Sequence, residues 1–154
     1  MIVPIGKSAP QFSLPLITGA TVNLHNLLKS DPLLLLFFKV NCPTCQYSVS
    51  FVERLYGMGV PVYGVCQTLD NRQIHSFVQT YQTSFPILVE QPGYDVSNAY
   101  GIEVVPTVFL LNSVGIVVAG FEAFDKAGFL TLAKLCGKTS PFRSPESIPV
   151  YKAG

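Results

Sequence analysis

Six apolar residues in a row, Leu33-Leu34-Leu35-Leu36-Phe37-Phe38, lead through Lys39 towards Cys42-Pro43-Thr44-Cys45. A run with no polar face suits a central strand of a sheet covered on both sides. It is far too short to span a bilayer. Beyond the cysteines, Val49, Val52 and Tyr56 recur at helical spacing, and Phe51 with Leu55 widens the stripe. That predicts a helix from Pro43 to Tyr56, ended by Gly57 and Gly59. Pro43 fits its first position, where a missing N–H costs nothing. A strand therefore feeds a helix, with two cysteines at the junction.

That junction has chemical consequences. Cys42 would face the unpaired N–H groups and the positive end of the helix dipole. Both favour a thiolate and make the sulfur nucleophilic near neutral pH. Cys45, one turn in, is near enough to attack a mixed disulfide formed by Cys42. Two buried structural cysteines, or half of a metal site, are the competing readings of the pair. In the metal reading Cys42, Cys45 and Cys66 carry a soft ion such as Cu(I) or Zn(II). Neither a second C-x-x-C nor a suitably spaced histidine supports it, and no metal or other cofactor is expected.

The 154 residues suit one domain with a proper core. Charged residues make up 12% of the chain, against about 25% in an ordinary soluble domain. Some apolar surface is expected, and with it a partner or a homodimer. There is no basic run, so nucleic acid is not an expected ligand. The first seven residues lack the basic start and apolar segment of a signal peptide. Cys66 and Cys136 have no adjacent cysteine partner, and stray thiols are better tolerated in a reducing compartment. A cytoplasmic protein is expected, or else one trimmed of an export segment.

Phe12–Leu14 and Thr21–Leu24 flank Thr18-Gly19-Ala20 and read as a small hairpin. One helical turn follows from His25 to Lys29, with His25 at the surface or capping, and Ser30-Asp31-Pro32 reads as a turn. Val60–Val65 is a second buried strand. Asp70, with Gln73 three residues on, reads as a capping box for a helix through Ile74, Phe77, Val78 and Tyr81. His75 falls off that stripe. Phe85–Val89 reads as a short strand and Tyr94–Tyr100 as a short helix. Pro106–Leu111 and Gly115–Ala119 read as an antiparallel hairpin. Asp125 caps a last helix on which Phe129, Leu132, Ala133 and Cys136 share a face, which makes Cys136 a core residue. Thr139–Gly154 shows no periodicity and reads as an extended arm, packed or loose, after a domain covering residues 1–138. Strand–helix–strand units with a closing hairpin give a mixed α/β sheet covered by helices.

Four segments, in this order, resemble the thioredoxin fold and its redoxin branch, the TlpA-like thiol-disulfide oxidoreductases and the related AhpC/TSA peroxiredoxins. Gly6-Lys7-Ser8-Ala9-Pro10-Gln11-Phe12-Ser13-Leu14 is similar to the branch's opening G-x-x-A-P-x-F-x-L. Cys42-Pro43-Thr44-Cys45 stands where the redox motif belongs. Tyr100 to Thr107 resembles the segment ending in the family's cis-proline, and Leu111 to Val117 its hairpin with a turn glycine. The resemblance covers about residues 6–136 and implies a thioredoxin-like fold. It also implies that Pro106 is cis beside the cysteine pair, where the Val105 backbone would hold an extended substrate like an added strand.

Departures from the family pattern bear on mechanism. Asn41 stands where thioredoxin-type proteins carry tryptophan, and Leu36 where thioredoxin has a buried aspartate. Ser48 replaces a glutamate found in several TlpA-like proteins. Lys39 is placed to help hold a thiolate, or is simply a solvated lysine at a strand end. The expected activity is disulfide exchange with a protein substrate, followed by exchange with a redox partner. Cys42 attacks and Cys45 resolves, with Pro43 and Thr44 as auxiliary motif residues. The alternative peroxidase lacks the P-x-x-x-T-x-x-C pattern and has only Arg54, Arg72 and Arg143 to choose from. A binding module on the same scaffold is the remaining alternative. Cys66 is expected on the same sheet edge as Cys42, either as a buried small hydrophobe or as a third exchanging thiol.

Overall fold

A computed structural model of the chain describes residues 1–29 and 32–154, so most of the expected turn at Ser30-Asp31-Pro32 lies outside the described residues. A five-stranded sheet carries the architecture. Its strands are β3 (Leu33–Phe38), β4 (Val62–Cys66), β5 (Ile87–Val89), β6 (Thr107–Leu111) and β7 (Val117–Glu122), in the order β5-β4-β3-β6-β7. β3 lies parallel to β4 and antiparallel to β6, and β4 is parallel to β5. The N-terminal hairpin is β1 (Ser13–Pro15) against β2 (Thr21–Asn23). The helices are α1 (Leu24–Leu27), α2 (Pro43–Gly57), α3 (Asn71–Tyr81), α4 (Asp95–Ala99) and α5 (Lys126–Leu135). This is the thioredoxin-like arrangement, a mixed sheet flanked by helices.

β3 is buried along its whole length. Its alternate residues point to opposite faces, and each face has its own core. Leu34, Leu36 and Phe38 pack with Val49, Val52 and Leu55 of α2, Phe77 of α3, and Phe129 and Leu132 of α5. Leu33, Leu35 and Phe37 pack with Leu14, Leu24, Tyr100 and Phe109 on the other side. The Tyr100 hydroxyl, carried into that second core, donates to the Pro10 carbonyl at 2.8 Å. Burying a phenol without such a partner would be costly.

Several boundaries differ from the sequence reading. β4 starts at Val62 rather than Val60, and Cys66 closes the strand. The Asp70 side chain caps α3 by accepting from the Arg72 N–H, and Gln73 donates only through its backbone to the Asp70 carbonyl. No reciprocal capping box forms. β7 starts at Val117 instead of Gly115, because Gly115 takes φ +81° in the turn and the register shifts at Leu110/Leu111. Cys136 is the C-cap of α5 and only partly buried, at the rim of the first core rather than inside it.

The arm after α5 is packed against the domain. Phe142 joins Phe51, Phe124 and Phe129, with ring centroids 5.0 to 6.2 Å apart. Arg54 on α2 donates to the Pro141 carbonyl and pairs with both Glu146 carboxylate oxygens, each contact 2.8 Å. A short strand, β9 (Tyr151–Lys152), then pairs antiparallel with β8 (Phe124–Asp125). Among the described residues no helix is long and apolar enough to cross a membrane.

Candidate active site

Two chain segments far apart in sequence meet at one edge of the sheet. β3 runs towards that edge and β6 starts from it, with Phe37 opposite Thr107. The loop after β3 therefore delivers Cys42 to the place where the loop before β6 delivers Val105 and Pro106. The Val105–Pro106 peptide bond is cis. Thr107 Oγ1 donates to the Val104 carbonyl at 2.8 Å, and the Ala123 N–H to the Pro106 carbonyl at 2.7 Å, which holds this turn in place.

Cys42 is the N-cap of α2, with extended backbone, and Pro43 occupies the first turn. Its sulfur does the work of a capping oxygen: the Cys45 N–H donates to Cys42 Sγ at 3.2 Å. The Cys42 Sγ in turn donates to the Val105 carbonyl at 3.5 Å. The loop leading to it is tied down by Gln46 Nε2 on the Val40 carbonyl and by Thr68 Oγ1 accepting from the Val40 N–H. Beside Asn41 lies an open recess of about 350 Å³, lined by Gln46, Gln73, Ser76, Thr80 and Tyr81 among others.

Cys42 is partly exposed and Cys45 is fully buried beneath it. Burial pushes the Cys45 thiol well up from its ordinary range, and its hydrogen bond to Cys42 adds to this. A backbone hydrogen bond from Lys39 pulls the other way. The outer sulfur thus meets solvent and the inner one keeps its proton. Neither family carboxylate position holds an acid: Leu36 is core, and Ser48 is buried with its hydroxyl on the Thr44 carbonyl at 2.7 Å.

The remaining candidates fall in different places. Lys39 is exposed, and the bond it makes to a cysteine comes from its backbone. Cys66 pairs in register with Phe38, at the same sheet edge, and is fully buried. Burial raises its thiol as well, against hydrogen bonds from Thr68. Among the described residues no group of three or more Cys, His, Asp or Glu side chains could hold a metal ion. Arg54 is engaged by Glu146, and Arg72 lies beside Asp70.

The sequence reading left the arm packed or loose and gave no sign that its end reaches the cysteine motif. Thr44 Oγ1 donates to the Ala153 carbonyl, and Lys152 Nζ stands 5.2 Å from the centre of the Tyr47 ring. The sequence reading missed Glu90, buried at 2% exposure, whose carboxylate accepts from the Ser97 N–H at 2.8 Å and from its hydroxyl at 2.5 Å. Glu90 caps α4 from outside, so its burial is structural. An acidic residue at the end of an apolar strand segment was the only signal of it.

Comparisons with known proteins agree with this geometry. The chain is 32% identical over 117 residues to the thiol-disulfide oxidoreductase ResA of Halalkalibacterium halodurans, covering 73% of this chain and 65% of that one. It thus spans just under two thirds of that relative's length. It is 29% identical to the thioredoxin-like protein YneN of Bacillus subtilis, over 73% of this chain and 68% of that one. The solved structure of a thiol:disulfide interchange protein from a Bacteroides species superposes with a TM-score of 0.75 at 20% identity, covering 87% of this chain and 91% of the other. At that identity the likeness shows the thioredoxin-like fold alone. The model of the AhpC/TSA family matches residues 5–119, about three quarters of the sequence, and the chain belongs to that family.

Proposed function

We propose that this protein is a thiol-disulfide oxidoreductase acting on disulfide-bearing or dithiol protein substrates through Cys42 and Cys45. One observation carries the reading: a partly exposed Cys42 sulfur caps α2, receives the Cys45 N–H at 3.2 Å, and faces the Val105 carbonyl at 3.5 Å. The Cys45 N–H is a hydrogen-bond donor that the sulfur keeps when Cys42 attacks as the thiolate. The thiolate attacks a substrate disulfide and forms a Cys42–substrate bond, and one substrate sulfur leaves as a thiolate. Cys45 then gives up its proton and attacks Cys42. The second substrate sulfur leaves, and the Cys42–Cys45 disulfide remains. Two electrons have passed from the protein to the substrate, and a redox partner reverses the change.

The raised Cys45 thiol makes its deprotonation the demanding step, since no acidic side chain occupies either relay position. A departing substrate thiolate is the natural proton acceptor. The backbone of Val105, presented before Pro106, is the docking point for an extended substrate segment. Peroxidase chemistry is disfavoured because the Arg54 guanidinium is committed to Glu146 and the Pro141 carbonyl. The test is a pair of variants assayed on a protein disulfide. Cys42→Ser should abolish exchange, whereas Cys45→Ser should react once and stop. Turnover by Cys42→Ser would reject the proposal.

A further inference from the structure

The last residues of the chain lie on the groups that exchange would use. Thr44, inside the redox motif, donates through its hydroxyl to the Ala153 carbonyl. Gly154 is seated against Val105: a Cβ added there would fall 2.6 Å from the Val105 carbonyl oxygen and 3.3 Å from Val104 Cβ. That same oxygen accepts from Cys42 Sγ. Upstream, Lys152 reaches the Tyr47 ring, β9 pairs with β8, and the Lys126 N–H donates to the Val150 carbonyl at 3.0 Å. An extended segment bonded through its backbone beside a nucleophilic sulfur has the posture of a peptide added to a sheet edge.

The tail is held unevenly. Pro141 is buried, Phe142 sits among three core rings, and Glu146 pairs with Arg54. From Val150 on every residue is exposed, with Val150 at 76% and Tyr151 at 60%, and the ladder is two residues long. Segments with few buried contacts open at little free-energy cost. The anchor is firm and the tip is displaceable.

We propose that Val150–Gly154 is an internal peptide occupying the substrate-docking surface beside Cys42, and that an extended disulfide-bearing segment displaces it by pairing with the same edge of β8. This rests on the exchange reading above. The occupant also describes the substrate class: an extended segment with a small residue where it crosses Val105 and a Lys or Arg two residues earlier, over Tyr47. A surface that is free only part of the time reacts more slowly by that fraction.

The test compares the reduced full chain with one ending at Pro149, by stopped flow. The probe is a synthetic extended cysteine peptide of that pattern, blocked as a mixed disulfide with 5-thio-2-nitrobenzoate. Cys42 bonds to the peptide sulfur, and the coloured thiolate leaves. Truncation should raise the rate constant about three- to tenfold for the peptide, and less than about twofold for the symmetric aromatic disulfide without peptide. Gly154→Leu in the full chain should shift the rate the same way without any deletion, which keeps the comparison intact should truncation disturb folding. Free Val-Tyr-Lys-Ala-Gly should slow the truncated chain. Equal or slower peptide rates in both variants, with exchange intact, would overturn the proposal alone. No thiolate release from any chain would reject the exchange reading, and this proposal with it.

Discussion

Cys42 Sγ and the Val105 carbonyl oxygen lie 3.5 Å apart although 63 residues separate them in the chain. The contact follows from sheet topology. β3 and β6 are antiparallel neighbours, so the end of one and the start of the other share an edge. The proposed nucleophile and the proposed backbone acceptor for substrate thereby stand where two fully buried strands, β3 and β6, end and begin. Rigid elements of this kind place a site more reliably than loops do.

Differences in exposure and burial should order the thiols. Cys42 is partly exposed, Cys136 half-buried at the end of α5, and Cys45 and Cys66 fully buried with thiols raised by that burial. Iodoacetamide at pH 7.5, followed by mass mapping of the reduced protein, should label Cys42 first and Cys136 second. Cys45 and Cys66 should stay unlabelled until the protein unfolds. Early labelling of Cys66 would instead support its role as a third exchanging thiol.

The same burial predicts a pH effect on stability. Cys45 and Cys66 keep their protons in the folded state beyond the ordinary thiol value of 9.0, whereas the unfolded chain releases them near it. Their contribution is therefore fully present below about pH 9 and is lost as pH rises towards the folded values. Urea midpoints of the reduced protein should fall between pH 8 and pH 10.5, and less steeply in Cys45→Ala. A flat profile, or an unchanged slope in the variant, would count against it.

Arg54 holds the Glu146 carboxyl down to about 2, well below its ordinary range. The sign is opposite to that of the thiols: the contribution is present above pH 4.5 and lost as pH falls through about 2. Limited proteolysis should find the segment after Pro141 protected at pH 5. Glu146→Gln should expose it to cleavage at neutral pH with little change in the melting temperature. Equal cleavage of the two proteins would show that Phe142 alone anchors the arm.

Gly64 is a packing constraint inside β4. A Cβ there would lie 2.9 Å from the Phe38 ring and 3.1 Å from the Phe85 ring, and both rings are buried. Gly64→Ala should cost about 1–3 kcal/mol through forced repacking. Chemical denaturation measures this directly, and a stabilised variant would show that the rings yield freely.

Much of this was legible in the sequence because local chemistry and global fold agree there. The Leu33–Phe38 run, Pro43 at the start of α2, and Asp70 and Asp125 as caps each carry their own physical signal. The placement of the candidate pair was legible for the same reason, through Cys42-Pro43-Thr44-Cys45 at a strand–helix junction. What stayed hidden depends on distant partners. Tyr151 and Lys152 become a strand only because Phe124 and Asp125 offer an edge, and Phe142 is placed by rings on three other segments. Glu90 is buried only because Ser97 answers both its oxygens. No periodicity records such pairings.

Exchange through Cys42 is tested most directly by trapping its covalent intermediate. Cys45→Ser, mixed with a protein disulfide and quenched with acid, should hold one substrate per chain, and peptide mapping should place the bond on Cys42. No adduct, or an adduct on Cys66 or Cys136 with Cys42 free, would contradict the assignment of Cys42 as the nucleophile.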